Sequence, residues 1–184
     1  MSTQADPRPL IGEPLPLDLL NTQWTDDDGA YDLLAQPGGL GIWLASNGLT
    51  SPETPETLDA LIATREALFA LVQPDPPPGA REMLNETLRR GRIRRMFGPD
   101  GPESVLETDT PAWFVAWQAA EQYLRLLDDK PERLRKCANP GCRLRFYDAS
   151  KAGARRWCSM ATCGNRAKYR TYSARQRSTP TPQN

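Results

Sequence analysis

The sequence predicts an α+β chain that is mainly α: a helical N-terminal part with one small β-hairpin, then a small cysteine-stapled module ending in a basic helix. Three observations lead there. Apolar residues recur at spacings of three and four over much of residues 1–131, as on amphipathic helices. An Asp-Gly step between two short runs near residue 100 breaks that pattern as a hairpin does. All 4 cysteines, and an excess of basic residues, fall after Pro131.

Residues 15–24, Leu-Pro-Leu-Asp-Leu-Leu-Asn-Thr-Gln-Trp, are expected as a short helix. Residues 31–47 hold Leu33, Leu34, Leu40, Ile42, Trp43 and Leu44 around Pro37-Gly38-Gly39, which divides them into a turn and a second short helix. Thr54-Pro55 supplies an N-cap and a proline at the first helical position. Leu58, Leu61, Ile62, Leu68, Phe69 and Val72 then leave one stripe to bury. The run Pro74–Pro78 cannot continue that helix, and residues 80–90, with Met83, Leu84 and Leu88, supply another. Residues 92–97 and 103–108 flank Gly98-Pro-Asp-Gly101 as the hairpin. Thr110-Pro111 repeats the cap signal, and Trp113, Trp117, Ala120, Leu124 and Leu127 form the stripe of the strongest helix of this half. That aromatic stripe reads as core packing and not as a cofactor box. Asp128-Asp-Lys-Pro131 closes it, which divides the chain into a domain over 1–131, a module over 132–178 and a disordered tail over 179–184.

The net charge of zero hides a division: residues 1–131 carry 21 Asp/Glu and 10 Lys/Arg, residues 132–184 carry 2 and 13, so the parts are −11 and +11. A short segment of that charge suits a polyanion such as nucleic acid; docking of the basic part on the acidic one is the competing explanation. The chain has 0 histidines, which removes Ser-His-Asp and Cys-His catalysis and two-histidine zinc fingers. No phosphate-binding glycine loop and no acid/base pair can be named, so a non-enzymatic role is expected. Asp26-Asp27-Asp28 lacks calcium-loop spacing and reads as a solvated turn. With no apolar run long enough to span a bilayer and no secretory signal at the N-terminus, the expected compartment is the reducing cytoplasm, without membrane contact.

The cysteines are spaced Cys137-x4-Cys142-x15-Cys158-x4-Cys163, two pairs with a common separator. Asn139-Pro140-Gly141 can turn the first loop so that both sulfurs face one ion. Tetrahedral sulfur selects zinc, with iron as the other metal it suits, and a disulfide would need an oxidising compartment. Four thiolates close the shell, so the expected cofactor is one structural Zn²⁺ per chain, supplying folding free energy that the module's few apolar residues cannot. Arg155, Arg156 and Arg166 lie close enough in sequence to bond the sulfurs, the Asp148 carboxylate or backbone. Ser159 reads as the cap of a final helix with Cys163 in its first turns. Arg166, Arg170, Ser173 and Arg177 would share one face, and Lys168, Tyr172 and Arg175 an adjoining one. Candidate nucleic-acid contacts are Lys151, Arg155, Arg156, Asn165, Arg166, Lys168, Arg170, Arg175 and Arg177.

Cys163-Gly-Asn-Arg166, with Cys-x4-Cys, Asp148-x-Ser150, Gly153 and Arg155-Arg-Trp-Cys158-Ser, resembles the CGNR zinc finger of bacterial proteins described as stress-induced transcription regulators. Leu17-Asp-Leu-Leu-Asn-Thr22 is similar to the opening of the ABATE domain that precedes that finger. The resemblance implies zinc binding in a small treble-clef-like module, DNA binding and a regulatory role. The expected function is therefore a zinc-dependent regulator that binds double-stranded DNA. Its N-terminal domain would sense a small-molecule effector, form a homodimer, or both. A zinc-stapled protein-interaction or RNA-associated adaptor and a thiol redox sensor are the competing readings.

Overall fold

The computed structural model describes residues 5–170. In chain order it contains α1 (Leu15–Leu20), β1 (Gln23–Thr25), β2 (Ala30–Asp32), α2 (Gly39–Ser46), α3 (Pro55–Leu71), α4 (Ala80–Arg89), β3 (Gly91–Gly98), β4 (Gly101–Thr108), α5 (Phe114–Asp129), β5 (Leu134–Lys136) and β6 (Arg145–Tyr147). The strands form three antiparallel ribbons, β1–β2, β3–β4 and β5–β6. Among the described residues no helix is long and apolar enough to cross a membrane.

The helix expected over 15–24 stops at Leu20. Thr22 turns its hydroxyl onto the Leu19 carbonyl (2.7 Å), and Gln23 begins a strand paired with Asp32. The acidic triplet sits in the turn of this ribbon, with the Asp26 carboxylate accepting the Asp28 and Gly29 N–H groups. Thr54 caps α3 as expected, accepting from the Thr57 N–H at 3.3 Å. Thr110 makes no such cap: a 3-10 turn, Pro111–Trp113, intervenes and α5 begins at Phe114.

The buried face of α5 keeps Trp117 and Ala120 of the expected stripe but turns away from its leucines. It is Val115, Ala116, Trp117, Ala119, Ala120 and Tyr123, whereas Leu124 and Leu127 are each 38% exposed. The alanines explain the rotation: a face of small side chains lets α1 and α3 pack close to the α5 backbone. Leu17, Leu19, Leu33, Trp43, Leu61, Leu68 and Val115 form the centre of the core, none more than 1% exposed.

The β3–β4 hairpin runs in register from Gly91↔Thr108 to Gly98↔Gly101, with Pro99-Asp100 as its two-residue loop and Gly101 at φ 129°. The last module is not tethered loosely. Asn21 imitates a strand neighbour for β6, its Nδ2 donating to the Arg145 carbonyl and its Oδ1 accepting from the Arg145 N–H, both at 2.9 Å. Glu13 accepts the Tyr147 N–H at 2.8 Å, and the Arg145 guanidinium donates to the Val72 carbonyl at 2.9 Å. Leu144, Phe146 and the four cysteines belong to the same contiguous buried cluster as the helices.

Candidate metal centre

Local turns bring the four sulfurs together. Cys137 follows β5 and its N–H donates to the Leu144 carbonyl; Cys142 follows the Asn139-Pro140-Gly141 turn, closed by its N–H on the Asn139 carbonyl at 2.9 Å. Ser159 accepts the Thr162 N–H and opens a wide π turn, Met160–Gly164, which places Cys163 inward at the head of a helical stretch over 165–170. All four Sγ atoms lie within 4.8 Å of one another, and none of the cysteines is more than 5% exposed or in a disulfide.

The donor set fits zinc. A tetrahedron of bonds of about 2.3 Å separates its sulfurs by about 3.8 Å; Cys142 and Cys158 are 3.8 Å apart. The sulfurs also interact as a set that wants a cation. The Cys142 thiol is pulled down to about 5 by the hydrogen bond from Cys158. That same bond, together with burial, pushes the Cys158 thiol up, and burial pushes Cys137 up. A dication shared by the four sulfurs would favour thiolate at each of them. Polar hydrogens are already aimed at sulfur: the Cys158 N–H at Cys137 and the Asn139 amide at Cys163, both 3.4 Å away. The four cysteines thus form a site for one zinc ion, with no ligand position left for substrate. Elemental analysis of protein purified without added metal is expected to give one zinc per chain; a value near zero with four titratable thiols would contradict it.

The residues around the sulfurs explain the rest of the motif. The Asp148 carboxylate, sealed from solvent, accepts from the Ser150 hydroxyl (2.5 Å), the Ser150 N–H (3.0 Å) and the Arg155 N–H (2.9 Å). These bonds, the Ser150 hydroxyl foremost, and the nearby Arg135 cation hold its carboxyl below the usual carboxylate range. Gly153 turns the intervening loop at φ 59°.

The candidate basic residues divide into two groups. Arg155 is committed to the fold: it donates to the Cys158 carbonyl at 2.6 Å, pairs with Glu13 at 3.1 Å and lies over the Phe146 ring. Arg170 donates to Asn139 Oδ1 at 2.9 Å, so it orients the very amide that points at Cys163. Arg166 reaches back to Asp27 in the β1–β2 turn at 2.8 Å. Arg156 lies over Trp157, and Asn165 donates to the Ala161 carbonyl inside its own helix. Lys151 and Lys168 are exposed and have no ion pair among the described residues. Arg175 and Arg177 lie outside the described residues. Sequence reasoning missed Asn139, whose position between the first two cysteines was the available signal, and Arg133, which donates to the Asp148 and Ser150 carbonyls. A cleft of about 240 Å³ separates the acidic turn from the zinc module, lined by Trp24, Asp27, Asn139, Cys163 and Arg166 among others.

Residues 13–130 match the ABATE family, described as "Putative stress-induced transcription regulator", and residues 133–176 match the CGNR zinc finger. Neither is described as an enzyme family. No curated protein matches the chain.

Proposed function

The chain belongs to the ABATE family and carries a CGNR zinc finger, and on that premise we propose a zinc-stapled transcription regulator that binds duplex DNA through its terminal helix. The observation that carries the reading is the helix itself. Cys163 fixes its start at the metal site, while Lys168, Tyr169 and Arg170 stand exposed beyond it, Tyr169 at 72%. Nothing in the packing calls for a tyrosine beside the exposed Lys168; phosphate contact with an adjacent ring does. Lys151 and Arg156 add charge from the neighbouring loop, and Arg175 and Arg177 extend the basic sequence. Four reduced cysteines suit the cytoplasm. Effector sensing or homodimerisation by the N-terminal part belongs to the same proposal, and the cleft beside Trp24 supports the first of these.

Binding is tested by anisotropy of a labelled mixed-sequence duplex over a range of salt, with RNA as competitor. Contact with about six phosphates gives a log–log salt slope of roughly −5. Lys168→Ala is expected to flatten it by about one, with similar losses on all sequences. Asp27→Asn releases Arg166 from an exposed pair and should strengthen binding by up to about fivefold, the scale of such pairs. Arg170→Ala differs in kind, because losing the Asn139 contact should reduce zinc retention as well. Folded, zinc-loaded protein whose DNA affinity is unaltered by Lys168→Ala, Arg175→Ala and Arg177→Ala together would overturn the reading.

A further inference from the structure

The β3–β4 hairpin does more than packing requires. Its base is pressed against α5: a Cβ added at Gly91 would come within 2.7 Å of the Glu107 carbonyl oxygen and 2.9 Å of the Trp117 ring. Ile93, Ser104 and Leu106 then share a groove with Gln118, Glu121, Gln122 and Arg125 of α5. Beyond that groove, Arg94–Phe97, Pro102 and Glu103 are exposed. Phe97 is 82% exposed, more than any other large hydrophobic residue described, and Met96 beside it is 39% exposed. A lone two-stranded ribbon is marginal in water, and an aromatic ring 82% exposed at its tip adds little to its packing.

The period of two along a strand sorts the charges. One face pairs Arg92, Arg94 and Met96 with Glu107, Val105 and Glu103, and both arginines bind Glu107, at 2.9 and 2.6 Å. The other face pairs Ile93, Arg95 and Phe97 with Leu106, Ser104 and Pro102, so its strand residues bear no carboxylate; Glu121 of α5 lies at its inner end and Asp100 in the loop beyond. Arg95 donates to the Ser104 hydroxyl at 2.8 Å and has no ion pair among the described residues. The outer half of this face therefore offers a cation and an aromatic ring side by side. A second copy is a poor occupant. The exposed edge of β3 carries arginines and that of β4 carries Glu103 and Glu107, so symmetric pairing of like edges would set like charges together.

Direction matters as much as composition. Gly91 sits at Trp117 and Ser104 shares the groove with Arg125, two turns further along α5, so the hairpin tip points to the C-terminal end of that helix. At that end the chain enters the zinc module, and the Tyr147 hydroxyl reaches Asp129. Tip and module thus share one end of the molecule. The three rungs beyond that groove span about 10 Å at about 3.3 Å per residue, more than the depth of about 8.5 Å of a major groove, which is wide enough to admit such a ribbon.

We infer that the β3–β4 ribbon is a second DNA contact, entering the major groove with Arg95 at phosphate and Phe97 against base edges. The inference rests on the reading that this helix binds duplex DNA, and the experiment separates the two. With full-length, zinc-loaded protein and a mixed-sequence duplex, Phe97→Ala is expected to weaken binding about tenfold with an unchanged salt slope, the scale of one aromatic–base contact. Arg95→Ala is expected to flatten the slope by about one. Both residues are exposed, so melting temperature, zinc content and sedimentation should stay at wild-type values. Unaltered affinity in both variants, with Lys168→Ala still harmful, overturns the ribbon contact alone. Wild-type protein that binds no duplex overturns both readings. A Phe97→Ala variant that changes oligomeric state and not affinity assigns the tip to a protein partner and overturns the inference as well.

Discussion

Exchanging Cys158 for serine is expected to release the metal and open the chain from about Cys137 onward, leaving a protease-resistant fragment that ends near Pro131. The magnitude follows from the module's composition. Its own apolar side chains are few, so the zinc bond set, on the order of 10 kcal/mol in small modules, is what holds it folded. The helical part has its own core around Trp43, Leu61, Leu68 and Val115, and we propose that it stays folded without the finger. It will not be indifferent. Phe146, fully buried, leaves the shared cluster, and the Asn21 and Glu13 side chains lose β6. Removing one buried phenylalanine costs about 3–5 kcal/mol in a closed core, and exposure of the vacated surface to water reduces this, so the fragment should melt several degrees lower. Calorimetry with limited proteolysis and zinc analysis checks this. Loss of the whole chain would mean that the two parts fold only together, and an unchanged melt would mean that the metal contributes nothing. Acid should reproduce the variant: sulfur binds zinc as thiolate, so metal is held at neutral pH and released as pH falls.

The metal site was legible because cysteine spacing is a local code. Two Cys-x4-Cys loops and a serine cap are enough to place four sulfurs around a point, and the structure brings them within 4.8 Å. The start of α3 and the hairpin were legible for the same reason, since Thr54-Pro55 and Pro99-Asp100-Gly101 dictate backbone within a few residues. What could not be read was anything set by a distant partner. The face of α5 follows from how closely α1 and α3 approach it. Periodicity favoured the larger Leu124 and Leu127, whereas packing chose the alanines. The short helix over 15–24 ended early because Asn21 serves a strand over 120 residues away in sequence. The roles of Arg155 and Arg170 were hidden likewise. A cation near a thiolate cluster and a cation for phosphate look alike in sequence, and only the contacts to Cys158, Glu13 and Asn139 assign these two to the scaffold. The net charge of the last segment therefore overstates the charge free for a partner.

The same consideration accounts for Leu17-Asp-Leu-Leu-Asn-Thr22, where the polar residues and not the leucines are specific. Asn21 docks the finger and Asp18 anchors the other side of α1. Asp18 is fully buried: Oδ1 accepts from Arg8 (2.6 Å), Asn47 (2.9 Å) and the Trp43 indole (3.0 Å), and Oδ2 from the Gly12 N–H (3.0 Å). The Arg8 side chain is as deeply buried as its partner. Asp18→Ala leaves that guanidinium with Asp6 as its remaining anion and the indole N–H without an acceptor, the situation in which breaking a buried pair costs about 3–5 kcal/mol. For a chain of this size the melting temperature should fall by on the order of 10 °C. Asp18→Asn keeps one acceptor but turns an NH₂ group toward a donor and loses the charge, so it should lie between the two. Zinc content should stay at one per chain in both variants, because the sulfurs are organised by β5, β6 and the terminal helix, not by this network. Thermal and urea unfolding give the measurement. A loss below about 1 kcal/mol would be the size of one ordinary hydrogen bond and would remove Asp18 as the anchor of the N-terminal segment.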